Sequence, residues 1–296
     1  MATDYLDLIV DSYQGAARGL WKTILTPFSG GKLNILYFLI LISLLIWALE
    51  IFIPWRKGQN KIRKDFWLDT FYMFFNFFLY RVVFFAAFVK IVYTIFSSGL
   101  DLFGYQGGHL IDVSNLHWFL QLVIFFFVAD FVQWGVHVVL HRVPFFWKFH
   151  KVHHSVKEMG FAAHLRYHFL ETFAYEPVKY VSLALIFGFS MENIFYIYYL
   201  TILIGHLNHA NLGWDYGPLK YIFNNPKMHI WHHAKELPES HPHGMNFGIS
   251  LSIWDYIFRT NYVPSNGQDI ELGFPNDEQY PKGFLGQLIA PFKKSK

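Results

Sequence analysis

The sequence predicts an all-α integral membrane protein with about four to five membrane-inserted helices and a helical cap on the cytosolic side of the bilayer. The first observation is composition: of 296 residues, 54% are apolar, 21% are aromatic and only 15% are charged. A soluble domain of this length is less apolar. The second observation is a set of long apolar segments. Helices at 34–54, 70–96 and 116–136 would each cross roughly 30 Å of hydrocarbon, and 174–206 fits a helical hairpin that turns near Ser190 to Asn193.

The third observation is the distribution of Lys and Arg between the connecting loops, since positive charge stays on the cytoplasmic side. Segment 55–66 carries five basic residues, whereas 97–115 carries none. Alternation then places 137–172 and the chain from 207 onward on the cytoplasmic side. We expect a multi-pass protein. The terminal Lys293-Lys294-Ser295-Lys296 resembles a dilysine retrieval signal of the endoplasmic reticulum, but a short basic tail arises easily by chance, so the bacterial inner membrane and the endoplasmic reticulum both remain open.

The first 32 residues predict an amphipathic helix rather than a secretory signal. Asp4, Asp7 and Asp11 precede any apolar run, and their charge is the wrong one for a signal peptide. Apolar residues then recur at helical spacing up to Ile24, and Pro27 ends the pattern. Such a helix lies in the membrane interface or packs on the first spanning helix, and the sequence leaves both interpretations open.

Histidine is the residue type that indicates a chemical function. Eight of the sixteen histidines fall into three clusters: His137-x-x-x-His141, His150-x-x-His153-His154 and His229-x-x-His232-His233. On a helix, residues three and four apart share a face, so each cluster directs its imidazoles to one point. Without a metal they would repel as cations or be buried with unmet polar atoms, and both states are costly. The clusters therefore predict a metal site, whereas His109 and His117 on the outer loop are expected to be ordinary polar residues.

Local signals place these clusters on helices. His137 and His141 continue the third spanning helix until Pro144, and Asn225-Pro226 reads as an N-cap followed by proline in the first helical position. The similar segments 149–155 and 228–234 favour a two-centre site with one triplet from each half of the chain. A carboxylate inside an apolar span is costly, so Asp130 is expected to hold the second ring nitrogen of a ligand, or else to pair with another helix.

The type of ligand narrows the choice of metal. Imidazoles suit iron, zinc or copper and disfavour calcium and magnesium. No H-E-x-x-H motif occurs, and a structural zinc takes about four ligands rather than eight or more. Two irons, each with an open position for dioxygen, fit the count best. The chain has no cysteine, so electrons must come from another protein, and a net charge of +3 without a basic stripe does not indicate nucleic acid.

An ordered set of motifs resembles a known family. Asp130 to Ser155 reads DFVQWGVHVVLHRVPFFWKFHKVHHS. Further motifs follow: R-x-H at Arg166 to His168, H-A-N at His209 to Asn211, P-x-x-H-x-x-H-H at Pro226 to His233, N-F-G at Asn246 to Gly248 and W-D-x-x-F at Trp254 to Phe258. Together they resemble the signature of the fatty acid hydroxylase and sterol desaturase superfamily of integral membrane di-iron enzymes, over roughly residues 116–262.

The resemblance implies a cytosolic cap around two iron ions, with O2 as co-substrate and a lipid as substrate. An unactivated C–H bond would be hydroxylated or desaturated with electrons from a separate donor, such as cytochrome b5, a ferredoxin or an NAD(P)H reductase. The histidine that this family adds upstream of the last triplet corresponds to His209. His168 is a further candidate, and His206 a third. The expected metal ligands are thus His137, His141, His150, His153, His154, His168, His209, His229, His232 and His233. Asp130 is the residue expected to hold the second ring nitrogen of one of them.

Departures from the family pattern are few. Phe169 stands where the family usually has proline, and Arg259 replaces a usual glycine. The family's substrate or partner contacts are therefore not carried over at these two positions. His241-Pro-His-Gly244 resembles the cytochrome b5 motif only superficially, because no domain of that size surrounds it. The predicted domains are an interfacial helix (1–32), membrane helices 1 and 2 with an outer loop (33–115), a catalytic domain (116–262) and a cytosolic C-terminal tail (263–296).

Two other functions remain open from the residues. The first is a His-rich membrane protein that binds or transports metal without oxidase activity, although transport predicts polar residues continuing through the bilayer. The second is a catalytically inactive scaffold, although all eight clustered histidines are present. Fatty acyl chain, sterol, sphingoid base, carotenoid and ether lipid all remain candidate substrates.

Overall fold

A computed structural model describes residues 5–79, 111–176 and 191–293, together with the single positions 88, 91, 94 and 179. Helices dominate these ranges, as predicted: α1 (Tyr5–Leu25), α2 (Ile35–Phe52), α3 (Phe66–Leu79), α4 (Trp118–Arg142), α5 (Pro144–His154), α6 (Phe169–Glu176), α7 (Met191–His209), α8 (Pro226–His232), α9 (Ile253–Ile257) and α10 (Phe284–Ile289). The strands β1 (Phe28–Ser29) and β2 (Lys32–Leu33) form a short antiparallel hairpin between α1 and α2.

Two helices of the described ranges, α2 and α4, are long and apolar enough to cross a membrane. The side chain of Asn34 begins α2 by accepting hydrogen bonds from the backbone amides of Leu36 and Tyr37. Only 28% of the most apolar window of each helix is buried by the rest of the protein. An apolar surface left uncovered to this extent suits a lipid environment. The predicted spans at 34–54 and 116–136 are therefore helices of the expected length.

Other predicted elements are only partly visible. Helix α3 begins at Phe66, four residues before the predicted start of the second span. The rest of that span, most of the outer loop with His109, the first limb of the hairpin at 174–206 and the terminal residues 294–296 lie largely or wholly outside the described residues. The second limb of the hairpin is α7, which extends past the predicted end to His209.

The N-terminal helix buries little. Of its described side chains, only Ser12 and Ala16 are buried, while Leu6, Trp21 and Leu25 are each more than half exposed. A helix that packed its apolar face on α2 would cover those large side chains. Much of the apolar surface of α1 is therefore left uncovered by the described residues.

The core that supports the cap lies among α2, α3 and α7. Leu39 and Ile46 from α2, Met73 from α3 and Phe161 from a 3₁₀ turn at Phe161–Leu165 are buried together. Next to this core, the guanidinium of Arg166 contacts the carboxylates of Asp65 and Asp69 and donates a hydrogen bond to Ser155. A buried charge is stable only when it is paired in this way. The apolar core and this ion pair join α3 to the segment 155–166.

The segment after residue 262 packs onto the rest of the protein instead of extending into solvent. Gln287, in α10, is 1% exposed; it accepts a hydrogen bond from the Tyr72 hydroxyl at 3.0 Å and donates one to the Pro281 carbonyl at 2.9 Å. Phe284 packs edge-on against the Tyr72 ring at 5.0 Å. Lys157 of the cap forms an ion pair with the buried Asp277. The predicted tail is thus a structural part of the cap.

Replacing Gln287 with Ala should lower the free energy of unfolding by about 1–3 kcal/mol, because the buried Tyr72 hydroxyl loses its acceptor. Thermal unfolding of the purified protein in detergent measures the change. Gln279→Ala is the matched control, since Gln279 is exposed in the same C-terminal segment. Equal melting temperatures for Gln287→Ala and the wild type would contradict a structural role for this segment.

Candidate metal centre

The histidines predicted as ligands meet in two adjoining clusters on the cap side of α4. The five-histidine cluster contains His137, His141, His150, His154 and His232. The four-histidine cluster contains His153, His209, His229 and His233. Within each cluster, the nearest ring nitrogens all lie within 4.8 Å of one another. Nine of the ten predicted ligands are therefore placed where they could share two metal ions.

The two triplets do not divide between the clusters as the sequence suggested. On α5, His150 and His154 face the five-histidine cluster, whereas His153 faces the other. On and just after α8, His229 and His233 face the four-histidine cluster, and His232 faces the five-histidine cluster. Residues four apart share a helix face, and the residue between them points aside. The expectation that each triplet directs its imidazoles to one point is corrected: each of the two clusters in the structure contains histidines from both triplets.

The sequence signals for the start of α8 are confirmed. Asn225 accepts a hydrogen bond from the backbone amide of Met228, and Pro226 occupies the first helical position. This cap fixes where α8 begins and therefore which way its histidines point. On the other side of the centre, α4 continues to Arg142 and carries His137 and His141 out of its apolar stretch, and α5 begins at Pro144.

Five imidazoles direct their Nδ1 atoms away from the clusters to fixed oxygen acceptors. The distance from Nδ1 to the accepting backbone carbonyl oxygen is 2.7 Å for His137 (to Phe247), 2.8 Å for His232 (to Met245), 3.0 Å for His153 (to Arg166) and 2.7 Å for His209 (to Gly205). The Nδ1 atom of His150 instead lies 2.8 Å from a carboxylate oxygen of Glu171. A carbonyl oxygen only accepts, so Nδ1 carries the proton. The Nε2 atom is then left with a free lone pair, the form that binds a metal.

The Nε2 atoms of these rings face one another at short distances. His137 and His150 are 3.1 Å apart at Nε2, and His153 and His209 are 3.3 Å apart. With both Nδ1 atoms protonated, neither pair can form a hydrogen bond, so two lone pairs oppose each other inside the protein. The Nε2 atom of His232 is also buried without a partner among the described residues. A cation bound by these nitrogens removes both costs, and this donor set fits an imidazole-binding transition metal.

Burial keeps the imidazoles of His153, His154, His229, His232 and His233 neutral. Desolvation, followed by the neighbouring charge of His150, lowers the pKa of His153 to about 3. Desolvation and the surrounding imidazoles lower the pKa values of His154, His229, His232 and His233 well below the usual value. A neutral imidazole is the ligating form, so these residues are ready for metal at neutral pH without releasing protons.

Two further candidates lie outside both clusters. His168 has both ring nitrogens near the backbone: Nδ1 accepts from the amide of Leu170 at 3.2 Å, and Nε2 lies 3.0 Å from the Leu288 carbonyl. His206 places Nδ1 2.9 Å from Nδ1 of His164 and Nε2 3.2 Å from the Ser43 hydroxyl. These contacts indicate that His168 anchors the C-terminal segment and that His206 joins α7 to α2.

Asp130 supports the centre in a different way from the one expected. Instead of an imidazole, its carboxylate accepts hydrogen bonds from the amides of Ser250 and Leu251 and from the indole of Trp254. Asp255, in the W-D motif, likewise accepts from the amides of Phe247 and Gly248. The two carboxylates therefore hold the loop whose carbonyls receive the Nδ1 atoms of His137 and His232.

Glu171 is a functional residue that the sequence analysis missed. It is 4% exposed; one carboxylate oxygen lies 2.8 Å from Nδ1 of His150, and the other accepts from the amide of His168 at 3.1 Å. A carboxylate behind a ligating histidine fixes its orientation and makes it a stronger donor. The available signal was its place in the apolar segment FLETF directly after the R-x-H motif.

A cavity of about 140 Å³ opens onto both clusters. The imidazoles of four clustered histidines line part of it: His137, His150, His153 and His209. The rest of its lining comes mainly from α4, α6 and α7 and includes Gln133, Glu171, Tyr198 and Thr201. The Gln133 amide oxygen accepts a hydrogen bond from Lys179 at 3.0 Å. A small molecule in this cavity would contact both candidate metal positions.

Comparison with known proteins shows which family the region around the two clusters resembles. The family model described as fatty acid hydroxylase matches residues 122–260, which include all nine clustered histidines. Residues 122–260 are therefore similar to a fatty acid hydroxylase domain. The match begins and ends within a few residues of the resemblance noted from the sequence motifs, so that prediction is confirmed.

Two relatives of this fatty acid hydroxylase domain have named activities. The ornithine lipid hydroxylase OlsE of Rhizobium tropici is 33% identical over 174 residues, which are 59% of this chain and 51% of that protein. The alkylglycerol monooxygenase of Xenopus tropicalis is 27% identical over 146 residues, 47% of this chain and 30% of that protein. The chain thus spans about half the length of the first and less than a third of the second. No solved structure matches the chain.

Replacing Glu171 with Ala should weaken metal binding about 10- to 100-fold, because His150 loses the group that orients it. The metal content of the purified protein, measured by mass spectrometry after dialysis against a buffered metal concentration, tests this. Glu239→Ala, on an exposed loop, is the matched control. Wild-type affinity in Glu171→Ala would show that the carboxylate does not act through His150.

The divided triplet predicts that two adjacent histidines serve different ions. His153→Ala and His154→Ala should each lower the bound metal from about two ions per chain to about one, in different clusters. Imidazole-to-metal charge-transfer spectra of a cobalt- or copper-substituted protein would differ between the two variants. Identical residual spectra would mean that both residues bind the same ion.

Proposed function

We propose that this protein is a membrane-bound non-haem di-iron oxygenase that hydroxylates a lipid. The observation that supports it most directly is the pair of adjoining histidine clusters, with unprotonated Nε2 atoms facing each other beside a common cavity. A structural zinc site takes four ligands in a closed tetrahedron. Nine imidazoles in two groups instead suit two ions with room for a further ligand.

Iron bound at the two clusters would supply reductive activation of O2. The balanced reaction converts a C–H bond, O2, two electrons and two protons into C–OH and one water. Hydroxylation is proposed over desaturation because the relatives are named as a hydroxylase and a monooxygenase. Their names also favour a substrate with a polar group, such as an aminoacyl lipid or an ether of glycerol.

The protein's own residues would orient the metal ligands and limit access of water. The carbonyls of Met245 and Phe247, held by Asp130 and Asp255, fix two imidazoles of the five-histidine cluster. Fixed donors need no reorganisation during the reaction. The cavity beside α4, α6 and α7 would admit part of a lipid, and the bound lipid would itself limit the access of bulk water to the oxidant.

The proposed orientation places both clusters on the cytoplasmic side of a multi-pass protein. Helix α4 carries its histidines at the end that leads into the basic segment 137–172. Reducing proteins of the cytosol, such as cytochrome b5, a ferredoxin or an NAD(P)H reductase, would reach the clusters there. The bacterial inner membrane and the endoplasmic reticulum both meet this requirement.

Membranes from cells that express the wild-type chain, grown with iron and air, should contain a lipid one oxygen atom heavier than its precursor. Cells that express His153→Ala should lack it. Untargeted lipid mass spectrometry measures both samples, and fragmentation locates the new hydroxyl. A product two hydrogens lighter would replace hydroxylation by desaturation. If both proteins are folded, a donor is supplied and no lipid differs, the oxygenase proposal fails.

A further inference from the structure

One aromatic side chain lies between the five-histidine cluster and the protein surface. Trp147, on α5, is partly exposed. Its ring centroid lies 4.9 Å from that of His141, 5.2 Å from His154 and 6.1 Å from His150. All three are members of the five-histidine cluster. The indole therefore provides a continuous aromatic contact from the surface to the candidate metal ligands.

The surface around Trp147 is basic. Arg142 and Lys148 are exposed and Lys151 is partly exposed. The Lys151 ammonium lies 5.3 Å from the centre of the Phe274 ring, and that ring lies 6.1 Å from Trp147. Lys148 and Lys151 are three residues apart on α5, so their like charges lie on one side of the helix. The basic surface is defined here as Arg142, Trp147, Lys148 and Lys151.

These charges are not neutralised within the described parts of the chain. No ion pair there involves Arg142, Lys148 or Lys151, whereas the nearby Lys157 and Lys235 both pair with Asp277. Uncompensated like charges attract a partner of opposite charge and orient it during the encounter. A partly exposed tryptophan at the centre of such a surface is also typical of a residue that binds a protein partner.

We propose that the basic surface is the docking site of an acidic one-electron carrier protein and that electrons pass through Trp147 to the iron that the five-histidine cluster would hold. This inference rests on the proposed function, which needs two electrons for each C–H bond oxidised. The carrier docks twice per turnover and is oxidised by one electron each time. Two protons from water complete the reduction of one oxygen atom to water, while the other enters the lipid.

The position of Trp147 supports this route. Electron tunnelling through protein slows steeply with distance. A carrier docked over the indole would be separated from the ligands by only one aromatic ring, so the tunnelling distance would be short. The chain has no cysteine that could hold an iron–sulfur cluster of its own. An external carrier must therefore approach the ligands closely, and the ring contacts of Trp147 mark one place where it can.

Binding is tested with the full chain in lipid nanodiscs at low ionic strength. Two acidic carriers serve as probes, a [2Fe–2S] ferredoxin and the soluble domain of cytochrome b5. The double variant Lys148→Glu/Lys151→Glu should weaken binding of the recognised carrier about tenfold or more, and added salt should weaken binding to the wild type. Lys57→Glu/Lys61→Glu is the matched control: the same charge change at two exposed residues on the same predicted side.

Electron transfer is tested separately with Trp147→Leu. At a carrier concentration that saturates binding, this variant should keep its iron, but the reduced carrier should reduce it at least about tenfold more slowly in stopped-flow measurements. Dithionite, a small reductant that needs no docking, should reduce both proteins at the same rate. Trp147→Phe, which keeps an aromatic ring, should be intermediate.

Three outcomes would overturn the inference: equal carrier binding by the wild type and Lys148→Glu/Lys151→Glu, binding of neither carrier to the wild type, or an unchanged transfer rate in Trp147→Leu. Failure of the proposed function has a different result. In that case the iron-loaded wild type, reduced by dithionite and exposed to air, would produce no hydroxylated lipid, whatever the carriers do.

Discussion

The structure depends on where the Nδ1 protons of the clustered histidines go. Each proton that points at a carbonyl or carboxylate outside the cluster leaves an Nε2 lone pair inside it. A lone pair is attractive to a metal and repulsive to another lone pair, so the same hydrogen bonds that build the ligand set also make it unfavourable without a cation. The loop held by Asp130 and Asp255, the 3₁₀ turn before Arg166 and the first turns of α6 all supply these acceptors.

A second requirement is that charged side chains remain paired in the interior that surrounds the clusters. Arg166 is 1% exposed and would be costly there alone, but Asp65 and Asp69 accept its hydrogen bonds, and its own carbonyl receives Nδ1 of His153. One residue thus links α3 to the four-histidine cluster. A change in the packing of α3 would move His153, which couples this helix to the candidate metal centre.

Sequence reasoning found those features that one segment expresses by itself. The apolar lengths of α2 and α4, the cap at Asn225 and the histidine spacings are all local, and the structure contains each of them. The division of each triplet, the contacts of Asp130 and the role of Glu171 arise when distant segments meet: Asp130 and Ser250 are 120 residues apart. Helical spacing says which residues share a face, but not which faces will be opposed.

The packed C-terminal segment has a consequence for biosynthesis. All nine clustered histidines precede residue 234, yet the carbonyls of Met245 and Phe247, the carboxylate of Asp255 and the buried Gln287 are synthesised after them. During translation His137 and His232 therefore leave the ribosome before the carbonyls that orient them exist. The five-histidine cluster would thus reach its final arrangement only after the C-terminal segment has been made and has folded onto it.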